Sequence, residues 1–469
     1  MRFPNGKIFV IASLSLFLGV ALVVNAAEPL ALSSETALAD TFSEYCTSVV
    51  EHYPALIRQY ATLEQAIASK YRAYAVLFPR VSGTSSVTTT DDPVQVFGSL
   101  LRQESFTSAN FELPTLNSPR HRTNFHFGIE GEMQLFNAFQ TVSAIRRSRH
   151  LERSEKLKKE FAVQEARLVA HEAFTRVLLA GEKGRALEEV EKQTREDMKQ
   201  AEDLKEKGMV LGADFYAAKI IRSQIIESRE EAQSELAQAG VLANLLRGEF
   251  EPLRRFETRG AMHVPEPGDT ALDAWVALAR KNRKDLQALQ EQIEAAKSDV
   301  FREKMSHLPK ISGQLAMTED SHDLSSGGEN FMIAAKGTMP LLDPEYLPRI
   351  REAKARLKGL EAEKVQLEDE ITSAVSREFY NLQALDKNIE TVGATLQDAQ
   401  EAVEQTALLY REGRKSIADL LEIRAAYLAT SLRYSGLLAQ AMQASARLYF
   451  VSGSLEGEYF ERVVSGFGA

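Results

Sequence analysis

Between Asn124 and Phe136 the chain alternates without a break. Phe125, Phe127, Ile129, Gly131, Met133 and Leu135 fall on one side of an extended strand, and His126, Gly128, Glu130, Glu132 and Gln134 on the other. A second run, Asn330 to Leu342, places Phe331, Ile333, Ala335, Gly337, Met339 and Leu341 on one side and Lys336 and Thr338 on the other. Lys310 to Thr318 repeats the pattern, with Ile311, Gly313, Leu315 and Met317 against Lys310, Ser312, Gln314 and Thr318. The weakest of the four, "PRVSGTSSVTTT", starts at Pro79. These patterns predict strands at about 79–90, 124–134, 309–318 and 330–340, each close to the roughly 9–11 residues that a tilted strand needs to cross a bilayer.

Elsewhere the period changes from two to that of a helix. Asn137 to Lys207 contains no proline and is rich in Ala, Glu, Lys, Arg, Gln and Leu, which favour helix. Asp343 to Glu412 reads the same way, with Pro344 and Pro348 confined to its start. The spacing predicts two long helices, about 137–207 and 343–412, each roughly 105 Å at 1.5 Å per residue. Glycine turns at 208–213 and 413–418 follow, then return helices over 214–247 and 419–452. Shorter helices precede the strands, and in one of them Leu286, Leu289, Ile293, Ala296 and Val300 form a coiled-coil-like seam.

The succession occurs twice. "FPRVSG" at Phe78 and "LPKISG" at Leu308 mark the same exit from helix to strand, with Pro79 and Pro309 separated by 309 minus 79, or 230, positions. That offset also aligns Leu56 with Leu286, Leu63 with Ile293, Ala66 with Ala296 and Tyr71 with Phe301. Downstream, Gly208 and Gly413, Asp214 and Asp419, and Gly248 and Gly453 pair at 413 minus 208, or 205. The preserved order of punctuation predicts a tandem duplication, residues 27–260 and 261–469, whose first copy has the longer segment between its strands.

Arg2 and Lys7, the apolar run Ile8–Val24 and the small residues of "VVNAAEP" describe a secretory signal peptide over residues 1–26, with Ala27 the neighbouring cleavage choice. Beyond it no stretch is apolar and long enough for a membrane helix. The net charge of −10 argues against a nucleic-acid partner. A single cysteine, Cys46, excludes an intrachain disulfide. The scattered histidines contain no metal-ligand spacing, and no glycine loop suits a phosphate. The reading is therefore not an enzyme, with no catalytic residue, no metal and no cofactor. Four strands cannot close a barrel alone, and lipid tolerates no open sheet edge, so several copies of the chain are required.

A signal peptide, a doubled unit of strand pair plus long helix and the glycine–aspartate turns "GMVLGAD" and "GRKSIADLLE" together resemble the TolC family of outer-membrane efflux proteins. The resemblance implies a mainly helical fold with membrane β-structure. In it a homotrimer builds a 12-stranded β-barrel in the outer membrane, continued by an α-helical barrel across the periplasm. It further implies a passive channel-tunnel for small molecules or proteins, in contact with outer-membrane lipid. A periplasmic adaptor (membrane fusion) protein and an inner-membrane pump of RND or ABC type, the latter in type I secretion, would be its partners. By the same resemblance Lys415, Asp419 and Glu422 form a periplasmic gate. Gly208, Met209, Val210, Asp214, Gly413, Ser416 and Ile417 form the tip where an adaptor docks, and the gate acids, repeated by threefold symmetry, make a cation-attracting constriction. On its own terms the helical pattern also suits a soluble periplasmic coiled-coil adaptor or scaffold, which has no need of greasy-faced strands.

Overall fold

The computed structural model describes residues 41–249, 256, 261–264, 271–324, 327–465 and 467. The signal peptide and its cleavage position lie outside them. The order along the chain is α1 (Phe42–His52), α2 (Pro54–Ala75), β1 (Arg80–Thr90), α3 (Pro93–Arg102), the short α4 (Leu113–Asn117), β2 (Arg122–Asn137), α5 (Gln140–Glu206) and α6 (Gly212–Leu246). The second half follows with α7 (Leu272–Asn282), α8 (Lys284–Met305), β3 (Lys310–Ser321), β4 (Gly327–Thr338), α9 (Tyr346–Arg411), α10 (Ile417–Val451) and α11 (Gly457–Ser465).

The duplication is visible element by element. α1 and α7 each have 11 residues, α2 and α8 each 22, and both pairs are offset by 230. α5 and α9 run for 67 and 66 residues, roughly 100 Å each, and α6 and α10 for 35 apiece. Tyr53 and Arg283, again 230 apart, are the extended single residues that break α1 from α2 and α7 from α8 (ψ 115° in both). For Tyr53 the cause is the proline that follows it, which disfavours a helical backbone at the preceding residue.

All four long-range helix ends close in the same way. Gly208, Gly248, Gly413 and Gly453 adopt φ of 68°, 84°, 71° and 68°, the left-handed region that glycine enters without a Cβ penalty. Each belongs to a paired set of backbone bonds, as in Gly208 N–H to Lys205 C=O and Met209 N–H to Leu204 C=O, both 2.9 Å. Gly248 and Gly453 have a second constraint. A Cβ on Gly248 would lie 2.7 Å from the His52 ring, and one on Gly453 would lie 2.7 Å from the Arg283 backbone nitrogen. Each return helix thus ends against the break between the two helices that lead into the strands of its own repeat.

The strands form one antiparallel sheet in the order β1-β2-β3-β4, with β1 and β4 at its edges. The register puts Gly83, Ile129, Met317 and Phe331 in one row and Val81, Gly131, Leu315 and Ile333 in the next, all on one face. The opposite face carries Arg80, Glu132 and Gln314, then Ser82, Glu130, Ala316 and Met332. A register shift between Gln134 and Phe136 bends β2 near its end. The main core lies away from the sheet, halfway along the long helices. There Phe42, Tyr45 and Val49 of α1, Phe174 of α5, Trp275 of α7, Val375 of α9 and Tyr449 of α10 pack together. Among the described residues no helix is long and apolar enough to cross a membrane.

Candidate functional site

The end of the molecule farthest from the sheet consists of the two turns, α5 to α6 and α9 to α10. Their backbones match, since Gly208 and Gly413 occupy the same left-handed position after their helices. The return helices start at Gly212 and Ile417, ahead of the expected Asp214 and Asp419, so both acids are third residues of their helices rather than caps. At that depth a carboxylate still faces the unpaired N–H groups and the positive end of the helix dipole.

In the second turn the local chemistry is complete. Ser416 caps α10: its hydroxyl accepts from Asp419 N–H at 3.1 Å, while the Asp419 carboxylate accepts from Ser416 N–H at 3.0 Å. The Ser416 backbone N–H, with help from its hydroxyl and from Lys415, holds the Asp419 carboxyl below the usual range. Lys415 Nζ lies 3.8 Å from Asp419 Oδ2, within its own turn rather than against an acid of another helix. Glu422, one turn later on the same side of α10, is exposed. Ile417 is buried with Leu420 and Leu421 against Met198, Phe215 and Ala218, and Val210 packs on the rim of that cluster.

The first turn has the same path without the cap. The position of Ser416 is taken by Leu211, whose side chain cannot accept the hydrogen bond, and the position of Arg414 by Met209. Met209 and Leu211 are 72% and 73% exposed, so this tip presents apolar surface where the other presents Arg414 and Lys415. The structure thus gathers Lys415, Ser416, Ile417 and Asp419 at one turn and Gly208, Met209, Val210 and Asp214 at its pseudo-symmetric partner.

Three residues behind the tips were not singled out from sequence. Arg424 of α10 reaches Asp197 of α5 at 2.8 Å and also donates to Gln193. Burial raises the Asp197 carboxyl, against the pull of Arg424 and Arg411. Tyr410 of α9 is raised by burial and by the same Asp197 charge. In sequence Asp197 belongs to a charge run of the kind that usually marks a solvated face. The only available signal was Gln193 and Asp197 standing four apart on one side of α5.

The sheet is the other part with unusual surface. Val81, Ile129, Leu315, Met317, Phe331 and Ile333 share one face and are 44–73% exposed.

Residues 275–454 match the family model described as outer membrane efflux protein. No curated protein gives a significant sequence match. Among solved structures, CusC shares 16% identity at a TM-score of 0.74, over 91% of this chain and 95% of that one. VceC of Vibrio cholerae shares 15% at 0.72, over 88% and 96%. The CmeC channel of Campylobacter jejuni shares 15% at 0.73, over 93% and 94%.

Proposed function

We infer from this kinship that the chain is an outer-membrane efflux protein of the TolC type, a passive channel-tunnel for export that is seated in the outer membrane and extends into the periplasm. Channels of this family are trimers that work with periplasmic adaptors and inner-membrane pumps. The observation that carries the reading for this chain is the sheet. Among the described residues its two edges are unpaired and its apolar face is open, a state that water penalises and that lipid and neighbouring copies relieve. Three chains supply the 12 strands of a closed barrel. A soluble coiled-coil adaptor has no use for such a face, and the comparisons give that alternative no support.

The finer assignments belong to the same proposal. The signal peptide is residues 1–26, and the repeats are 27–260 and 261–469. Lys415, Asp419 and Glu422 line the periplasmic constriction, with Asp419 and Glu422 supplying three copies each of a negative ring. Gly208, Met209, Val210, Asp214, Gly413, Ser416 and Ile417 are the tip where an adaptor docks, and the pump behind the adaptor is of RND or ABC type. Planar-bilayer recording tests the gate: Asp419→Ala with Glu422→Ala should weaken cation preference, and Lys415→Ala, which removes the positive charge beside Asp419, should strengthen it. An unchanged preference in trimers that still assemble rejects the acidic ring. A mature protein that is monomeric without detergent rejects the channel itself.

A further inference from the structure

The segment between β1 and β2 is absorbed by none of this, and its packing is specific. α3 lies on the polar face of the sheet, opposite the apolar one. Gln103, just past α3 and 8% exposed, donates through Nε2 to Asn124 Oδ1 at 2.7 Å, Thr123 C=O at 3.1 Å and Ser321 C=O at 3.3 Å. Its Oε1 accepts from Arg122 Nε at 2.7 Å, and Arg122 also donates to Ser105 Oγ. Asn124 and His126 in turn contact Asp320, which is fully buried and whose Oδ2 has no hydrogen-bond partner among the described residues. The end of α3 is seated on Gly328 of β4, which is buried on this face; a Cβ there would fall 2.0 Å from the Arg102 carbonyl oxygen.

The latch is strained. Glu104 has φ 52°, and Glu104 N–H to Leu101 C=O with Ser105 N–H to Leu100 C=O repeats the helix-ending motif that the long helices close with glycine. A glutamate there is held in a sparsely populated conformation by what surrounds it. We propose that residues 93–117 are a lid latched through Gln103 over the outward end of the polar face, narrowing the exit of the barrel and poised to lift. The inference rests on the channel reading, because that reading makes the polar face the lumen wall.

The test is single-channel recording of the purified full-length mature protein with four variants, each first shown to migrate as a heat-modifiable trimer. Gln103→Ala removes the latch and should shift the lid toward its open form about tenfold, seen as more frequent or larger openings. Gly328→Val unseats α3 and should act in the same direction. Glu104→Gly relieves the strain and should make the high-conductance state rarer. Val94→Cys, at a position 81% exposed on the lid, should reduce current when modified by a bulky thiol reagent, since Cys46 is buried. Wild-type-like currents in all four, labelled or not, overturn the lid while leaving the channel intact. A wild-type protein that forms neither trimer nor pore overturns the channel reading and the lid with it.

Discussion

Arg424→Leu is the substitution whose cost the structure defines most sharply. The guanidinium and the Asp197 carboxylate are 2.8 Å apart, with side chains 12% and 17% exposed. At that separation and an effective dielectric of about 20, their attraction is about 6 kcal/mol, most of it offset by desolvation. Removing Arg424 alone leaves Asp197 buried opposite a methyl-rich side chain and strips Gln193 of its donor. Arg411 remains as a weaker counter-charge. The expected loss is about 3–5 kcal/mol, whereas Asp197→Leu with Arg424→Leu, which removes both charges, should cost far less. Native-state hydrogen exchange of amides in the first turns of α10 reads this locally, because the tip cluster is separate from the main core. The single substitution should speed exchange there and leave α1 and α7 protected. Two single substitutions whose effects sum to that of the double within about 0.5 kcal/mol would show that the pair is not coupled, and the reasoning would fail.

The four left-handed glycines should rank by what surrounds them. Gly208→Ala and Gly413→Ala meet open space and should cost about 1 kcal/mol each, Gly248→Ala more through the displaceable His52 ring, and Gly453→Ala most through the Arg283 backbone; trimer dissociation temperature gives the order. His171 is fully enclosed beside Phe42 and Phe467, and burial pushes its imidazole down to about 3. Because the folded state refuses the proton that the unfolded chain accepts below about pH 6.5, stability should fall by about 1.4 kcal/mol per pH unit from there toward pH 3. His171→Phe should flatten that acid limb in a pH series of thermal melts. On the sheet, Ile129→Arg should cost about 2–4 kcal/mol if that face meets lipid, while Glu130→Arg on the other face should leave assembly nearly unchanged; equal effects on trimer yield would refute the assignment of faces, and the opposite order would reverse it.

What could be read from the chain before its structure was whatever depends on local rules. The alternation at Phe125–Leu135 gives strand and face together, since side chains alternate with period two. The glycines at 208 and 413 announce helix ends because no other residue adopts that backbone cheaply. Two things were out of reach. α1 and α7 have only 11 residues each, and their apolar positions make sense only against the middles of α5 and α9, far away in sequence. The Asp197–Arg424 pair and the Gln103 latch are contacts between residues whose own neighbourhoods look like ordinary solvated helix or loop. Burial converts them from bland to specific, and burial is a property of the assembled fold. Asp419 shows the intermediate case. Its acidic character near a helix start was legible, but its engagement with Ser416 follows from the helix beginning at Ile417.

The duplication separates what the backbone demands from what it leaves free. At the two tips the demand is one left-handed residue, and both copies answer with glycine. The three residues that follow are not so bound, and they have diverged to Met209, Val210 and Leu211 in one copy and Arg414, Lys415 and Ser416 in the other. The consequence is energetic as well as chemical. α10 starts with a reciprocal Ser416–Asp419 cap, whereas α6 starts at an uncapped Leu211, a difference of about 1 kcal/mol in favour of the second tip. Two turns with one fold therefore differ in both firmness and surface: the softer one shows apolar side chains, the firmer one charges. Around any symmetric assembly of this chain those two characters must alternate, because each protomer contributes one of each. A partner that touches the whole rim has to satisfy both.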